Sequence, residues 1–111
     1  MTPPEDLVRL HHLREAAGKA IQFSTGKTRD DLDTDEVLRL ALTKLVEIVG
    51  EAAKQVSEPT RAACPDVPWA AAARMRDRFV HHYFDVDLDV LWATIVEDLP
   101  GLLDGLRRAF D

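Results

Sequence analysis

Apolar residues in this chain recur every three or four positions, a spacing that matches the 3.6-residue turn of an α-helix. The most regular run forms one stripe along a helix of about residues 35–56: Leu38, Ala41, Leu42, Leu45, Val49, Ala52 and Val56. Nowhere do β-branched residues alternate with polar ones over the length of a β-strand. The spacing therefore predicts an all-α protein, and the absence of linkers and low-complexity tracts predicts a single domain over residues 1–111.

The first helix is predicted to begin within residues 2–5, Thr-Pro-Pro-Glu, which have the sequence of a capping box with proline at the first helical position. Its buried stripe is predicted to consist of Leu7, Leu10, Leu13, Ala17 and Ile21. A polar connector follows, in which Asp33 or Thr34 is the candidate N-cap of the second helix. We therefore expect two long helices joined by a short polar loop.

The third helix is predicted over about residues 68–83, after a stiff connector at residues 64–68. The last helical segment begins near Asp87 and keeps its apolar stripe as far as Phe110. Pro100 lies inside that stripe and has no backbone N–H to donate. A kink or break is therefore predicted at Pro100.

The second helix carries a further apolar face, formed by Val37, Leu40 and Ile48. Two apolar faces require two neighbours, because an apolar patch left in water favours association. The second neighbour is either another helix of the same chain or a partner subunit. A homodimer is therefore one of two expectations from this pattern.

The formal net charge of −6 limits the kinds of partner that this chain can bind. Its average field repels phosphate, so we expect no non-specific binding of polyanions, and any contact with nucleic acid must be local. A lone cysteine, Cys64, excludes an intramolecular disulfide and fits a reducing compartment. No segment resembles a signal peptide or a membrane span, so we expect a cytoplasmic protein with no membrane partner.

Residues 74–83 hold three arginines, one aspartate and two adjacent histidines, which makes this stretch a locally positive candidate anion site. On a helix, Asp77 and His81 lie four residues apart on one face, so the carboxylate can orient the imidazole and raise its basicity. Arg76 and His81 are five residues apart, roughly 140° around an ideal helix. Joint contact with one phosphate then requires a frayed helix, a strand that wraps the helix edge, or residues from two subunits.

The same arginines and histidines also fit a simpler interpretation. They can form surface ion pairs with Asp77, Asp85 and Asp87, each of which contributes about 0 to 1 kcal/mol. Residue types and spacing alone leave both interpretations open.

Other candidate ligands in the sequence have similar alternatives. His11 and His12 are adjacent, but no carboxylate or cysteine cluster accompanies them, which favours a solvated pair. Glu47 and Glu51 lie four residues apart on the second helix, a spacing that is compatible with a metal site. A solvated or hydrogen-bonded helix face is the better interpretation of this pair. Cys64 fits a small buried side chain better than a nucleophile.

The spacing Arg76-x-x-x-x-His81-x-Tyr83 matches the R-x-x-x-x-H-x-Y signature of HEPN-domain proteins. Flanking pieces occur in order along the chain, at residues 45–53, 67–69, 76–87, 91–92 and 97–100. Together they span nearly the whole sequence, which resembles the HepT-like toxin family of HEPN proteins. The resemblance implies an all-α, HEPN-type up-and-down bundle of four to five helices that forms a homodimer.

The resemblance also implies an activity: metal-independent cleavage of RNA by a toxin that is paired with a small, MNT-type nucleotidyltransferase antitoxin. No cofactor is implied. Arg76 and His81 correspond to the catalytic pair, and Asp77 and Tyr83 are expected to support them. Tyr83 also corresponds to the residue to which the antitoxin attaches AMP. The family commonly has asparagine where this chain has Asp77.

Two other functions remain compatible with the sequence. A non-catalytic helical module would bind a nucleotidyltransferase or nucleic acid without cleavage, and Arg76→Ala would then reduce affinity alone. A metal-dependent hydrolase would use Glu47, Glu51 and the histidines, and EDTA would inhibit it. Assays of RNA cleavage in EDTA distinguish these functions from a metal-independent nuclease.

Overall fold

The computed structural model describes residues 2–79 and 86–110, and for residues 78 and 79 it describes the backbone alone. The helices are α1 (Pro4–Ser24), α2 (Asp31–Thr34), α3 (Glu36–Gln55), α4 (Glu58–Ala63), α5 (Trp69–Phe79), α6 (Leu88–Ala93) and α7 (Leu99–Phe110), with a π-helical segment at Thr94–Asp98. These ranges contain no β-strand, so the prediction of an all-α fold is confirmed.

The core lies where α1, α3, α5 and α7 meet. α3 packs against both α1 and α5, and α7 packs against α1. α1 and α3 run antiparallel, because Asp6 near the start of α1 contacts Ser57 just beyond the end of α3. The largest fully buried side chains described are Leu13, Leu32, Leu42, Val46, Val49, Val56, Leu91, Ile95, Leu99, Leu102 and Leu106. None of the helices in the described ranges combines the length and apolarity needed to cross a bilayer.

The start of α1 differs from the prediction in two ways. Pro3 is the N-cap and no side chain caps the helix, so the predicted capping box of Thr2 and Glu5 is wrong. Leu7 is 51% exposed and does not belong to the buried stripe, whereas the neighbouring Asp6 is buried. Sequence periodicity did not identify Asp6 because its partners lie some fifty residues away in the chain.

Asp6 joins the start of α1 to the start of α4. Its carboxylate accepts hydrogen bonds from the backbone N–H of Ser57 at 3.0 Å and from the Ser57 and Thr60 hydroxyls at 2.5 Å each. These donors, led by the Ser57 hydroxyl, lower the pKa of Asp6 from its ordinary value of 3.8. The ionised carboxylate is therefore the form that the folded state stabilises.

This network makes stability depend on pH in the acid range. Because the folded-state pKa of Asp6 is depressed, its contribution is present above the unfolded-state pKa near 3.8 and is lost as pH falls through the folded-state value. We expect Asp6→Asn to lower the free energy of unfolding at neutral pH and to weaken its decline in acid. Urea denaturation across the acid range measures both effects, with the exposed neighbour Glu5→Gln as control. An unchanged acid dependence in Asp6→Asn would contradict this role.

The N-cap of α3 is Asp35, whose Oδ1 accepts a hydrogen bond from the Leu38 N–H at 3.0 Å. The predicted caps, Asp33 and Thr34, are wrong because both residues belong to α2. The connector forms a helical turn of its own, which moves the cap of α3 to the first residue after that turn. The predicted extent of the second helix agrees with α3 to within a residue at each end.

Pro100 lies inside α7, and the chain remains helical there, so a break at Pro100 is wrong. The irregularity is the π-helical segment Thr94–Asp98, immediately before α7. Proline lacks an N–H, and its ring crowds the carbonyl four residues earlier, which here belongs to Val96. A widened turn before the proline relieves both effects while the apolar stripe continues.

Candidate functional site

α5 carries Arg76 at the edge of its contact with α3. The Trp69 indole N–H donates to the Cys64 carbonyl oxygen at 3.0 Å, which ties the start of α5 to the preceding connector. Ala72 and Met75 are buried in the core. With these two side chains inside, the next residue, Arg76, is only partly buried beside α3.

Gly50 of α3 allows the backbone of α5 to approach closely at Arg76. A Cβ atom added to Gly50 would lie 2.7 Å from the Arg76 Cβ and 2.8 Å from its Cα. Such distances are well inside van der Waals contact, so any side chain at Gly50 would push the helices apart. The absence of a side chain at Gly50 therefore allows the backbone of Arg76 to lie this close to α3.

α3 also orients the Arg76 guanidinium. Arg76 Nε donates to one carboxylate oxygen of Glu51, and Gln55 Nε2 donates to the other at 2.8 Å. The Arg76 side chain is 35% exposed, so solvent and ligands can reach it. Among the described residues, its two terminal nitrogens have no partner, and their fork geometry suits the oxygens of a phosphate.

Asp77 contacts α3 through a second ion pair. Its Oδ1 lies 2.6 Å from Lys54 Nζ, and both side chains are partly exposed, at 60% for Asp77 and 36% for Lys54. Solvent screening limits such a pair to about 0 to 1 kcal/mol. The predicted contact of Asp77 with His81 lies outside the described residues, and the sequence did not indicate Lys54 because Lys54 lies on another helix.

Several residues singled out from the sequence lie outside the described ranges. They include His81 of the expected catalytic pair, its neighbour His82, and Tyr83. The last part of the predicted third helix also lies outside, since α5 is described as far as Phe79. The roles assigned to these residues therefore stay predictions.

Arg76 lines a cleft of about 180 Å³ between α1, α3 and α5. The lining residues are Arg9, His12, Lys44, Glu47, Ile48, Glu51, Ala52, Gln55 and Arg76. Among the described lining residues, three permanent cations face two carboxylates, which leaves one excess positive charge in a chain whose net charge is −6. A site of this kind suits an anion, because its field is opposite in sign to that of the molecule as a whole.

The sequence did not identify most of the residues that line this cleft. His12 was predicted to be solvated, and it is exposed, but it lies at the cleft beside Arg9. Nothing local indicated that Lys44 would lie opposite them, because that depends on how α1 packs against α3. One available signal was Gly50, since a glycine inside a helix costs about 1 kcal/mol and often marks a close packing contact.

The remaining candidate ligands have structural partners. Glu51 pairs with Arg76, and Glu47 lies 3.6 Å from Lys44 Nζ, which favours ion-pairing roles for both carboxylates over a role as metal ligands. Within residues 2–79 and 86–110, no group of three histidine, cysteine or acidic side chains could hold a metal ion. Burial raises the pKa of the Cys64 thiol, which favours the unreactive protonated form.

A family model described as ribonuclease HepT-like matches residues 13–109, which contain α3, α5 and the whole R-x-x-x-x-H-x-Y motif. The chain belongs to the HepT-like ribonuclease family. The resemblance drawn from the sequence is thereby confirmed, and the all-α architecture is compatible with the HEPN-type bundle that it implied.

Named relatives agree with membership of the HepT-like family. A protein named "Probable ribonuclease HepT" from Thermococcus cleftensis is 37% identical over 93 residues, 84% of each chain. A protein named "Putative RNase" from Caldanaerobacter subterraneus subsp. tengcongensis is 34% identical over 84% of this chain and 83% of its own. A longer protein from Methanocaldococcus jannaschii, named as a gamma-glutamylcyclotransferase and putative RNase, is 31% identical over 94% of this chain and 47% of its own. No solved structure matches the chain significantly.

Proposed function

We propose that this HepT-like chain is a metal-independent endoribonuclease in which Arg76 and His81 form the catalytic pair. The observation that carries the proposal is the placement of Arg76. Glu51 orients its guanidinium, and the residue lines a locally positive cleft in an otherwise acidic chain. Membership of a ribonuclease family supports RNA as the anion that binds in this cleft.

Cleavage of RNA without a metal needs a base, a stabilising cation and an acid. His81 removes the proton from a ribose 2′-hydroxyl, whose oxygen attacks the adjacent phosphorus. Arg76 stabilises the negative charge that develops on the phosphate oxygens. The bond to the 5′-oxygen then breaks, and that oxygen takes a proton from His81 of the partner subunit. The products are a 2′,3′-cyclic phosphate and a 5′-hydroxyl.

A homodimer would provide the second histidine, and the exposed face of α3 supports one. Val37 is 79% exposed and Leu40 is 50% exposed. At 100° per residue, both share a face of α3 with Lys44 and Glu51 of the cleft. Leu40 precedes Glu51 by a helical rise of about 16 Å. A second copy that covers the apolar half of this face would therefore lie beside the cleft.

Asp77 and Tyr83 complete the proposed machinery. Asp77 fixes the His81 imidazole, because the two residues are four positions apart and share a face on a helix. The Tyr83 hydroxyl positions the phosphate. A nucleotidyltransferase antitoxin neutralises the toxin by attaching AMP to Tyr83, because the added group places bulk and negative charge where the RNA phosphate must approach.

The nuclease is tested by incubating the purified chain with single-stranded RNA in EDTA. We expect cleavage at an undiminished rate and products that end in a 2′,3′-cyclic phosphate, because Arg76 and histidine supply the charge and the proton transfers. A heat-denatured sample controls for contaminating nuclease. Cleavage that EDTA abolishes would point to a metal-dependent hydrolase, and binding without cleavage would point to an interaction module.

The same preparation tests the partners. Preincubation with an MNT-type nucleotidyltransferase, Mg²⁺ and ATP should add the mass of AMP to Tyr83 and suppress the later cleavage, whereas Tyr83→Phe should gain no mass. Sedimentation should give a dimer, and Val37→Glu with Leu40→Glu should shift it toward the monomer. A wild-type monomer at micromolar concentration, or a modified chain that still cleaves RNA, would contradict the corresponding part of the proposal.

A further inference from the structure

Arg9 and His12 reach the cleft from α1, on the side opposite to α5. Within the described part of the chain, neither side chain has a hydrogen bond or an ion pair, although the His12 ring lies 6.4 Å from that of His11. The other two cations of the cleft, Arg76 and Lys44, each lie beside a carboxylate of α3. Among the described residues, Arg9 and His12 thus form no ion pair, although Glu15 on the same helix interacts electrostatically with His12.

The cleft opens onto a groove that continues between α1 and α3, past His12 to Lys19. In that groove Glu15 lies 2.9 Å from Lys19 Nζ and 3.2 Å from His11 Nε2. Glu15 balances much of the positive charge there, so little attraction for an anion remains. Of the described basic side chains in the cleft and the groove, Arg9 is the permanent cation with no carboxylate partner, and it lies at the cleft end.

We infer that Arg9 and His12, together with Lys44 across the cleft, bind the RNA phosphate that neighbours the one held by Arg76. This inference rests on the proposed nuclease function and adds the way in which the substrate is recognised. Two phosphates in one cleft require an RNA chain of at least three nucleosides. Arg9 contributes binding to the backbone and takes no part in the chemical step.

The substrate length provides the sharpest test. A dinucleoside monophosphate has one phosphate, so Arg9→Ala should leave its KM and kcat unchanged. A trinucleotide with two phosphates should show a KM about tenfold higher in Arg9→Ala than in wild type, because a charge-assisted hydrogen bond to phosphate is lost. Its kcat should stay the same, since Arg9 does not act in the transition state. Lys44→Ala should raise that KM by less than Arg9→Ala does, because Glu47 lies 3.6 Å from the Lys44 ammonium and balances part of its charge.

Binding is measured separately with single-stranded RNA of about ten nucleotides that is fully 2′-O-methylated and therefore cannot be cleaved. Fluorescence anisotropy should give a Kd about tenfold weaker for Arg9→Ala. The slope of log Kd against log salt should fall by about 0.7, the value for one lost contact to a single strand. Arg9→Lys should recover part of the affinity, because it keeps the charge and loses the fork.

Two control variants distinguish binding at this subsite from long-range electrostatic attraction of RNA. Lys19→Ala removes a charge from the same groove, but Glu15 already balances that charge, so the Kd should change little. Arg107→Ala removes an exposed arginine from α7 that lines neither the cleft nor the groove. If either control weakens binding as much as Arg9→Ala does, long-range charge explains the effect and the inference is wrong.

The outcomes distinguish this inference from the proposed function. If wild type cleaves RNA and Arg9→Ala raises the KM of the trinucleotide no more than that of the dinucleoside monophosphate, the subsite is refuted and the nuclease stands. If wild type binds the methylated RNA through Arg9 but cleaves no RNA, the subsite stands and the nuclease is refuted. Thermal unfolding of each variant confirms that a loss of binding does not reflect a loss of fold.

Discussion

Replacing Arg76 with alanine is expected to lower the kcat of RNA cleavage by about 10² to 10³-fold, the usual cost of removing one preorganised donor to a developing oxyanion. Arg76→Lys should have a kcat between those of wild type and Arg76→Ala, because lysine keeps the charge but cannot present a planar fork to the phosphate oxygens. His81→Ala should be similarly inactive, because the two side chains act in one step. Initial rates in EDTA on a defined single-stranded RNA measure these effects.

Arg74 provides a matched control on the same helix. It is an exposed arginine two residues before Arg76, and it does not line the cleft. Arg74→Ala should therefore keep kcat within about twofold of wild type, as expected for a surface change away from the site. If Arg76→Ala folds normally and cleaves RNA as fast as Arg74→Ala, Arg76 is not catalytic.

The second large effect concerns Gly50, where α3 meets the backbone of Arg76. Gly50→Ala should lower the free energy of unfolding by about 2 kcal/mol or more, because its Cβ would lie 2.7 Å from that of Arg76. This loss should outweigh the roughly 1 kcal/mol that alanine contributes over glycine inside a helix. Activity should fall as well, since separation of the helices moves Arg76 relative to Glu51.

Gly18 offers the control for Gly50, because it also lies inside a long helix but a Cβ there would meet nothing within 4 Å. Gly18→Ala should therefore be neutral or stabilise the protein by up to about 1 kcal/mol. Urea denaturation of both variants measures the difference. Equal stability of Gly50→Ala and wild type would show that α5 can move away from α3 without cost.

Local pattern was sufficient for the two longest helices of this fold. The 3.6-residue period placed α1 and α3 nearly to the residue, because it depends on neighbours within one or two turns. It failed at Leu7 and at the N-cap of α3, where a distant partner or an extra turn decided the outcome. Leu7 is exposed because Asp6 turns inward to Ser57, and no local pattern reveals that contact.

The sequence by itself determined the long helices, the family and the candidate motif around Arg76 and His81, since each of these depends on short-range spacing and order. Only the tertiary structure decided that Arg9, Lys44 and Arg76 line one cleft. The physical reason is that helix packing depends on which surfaces fit together across long separations in the chain. A single glycine and a buried carboxylate, neither of which alters the helical period, fix much of that fit.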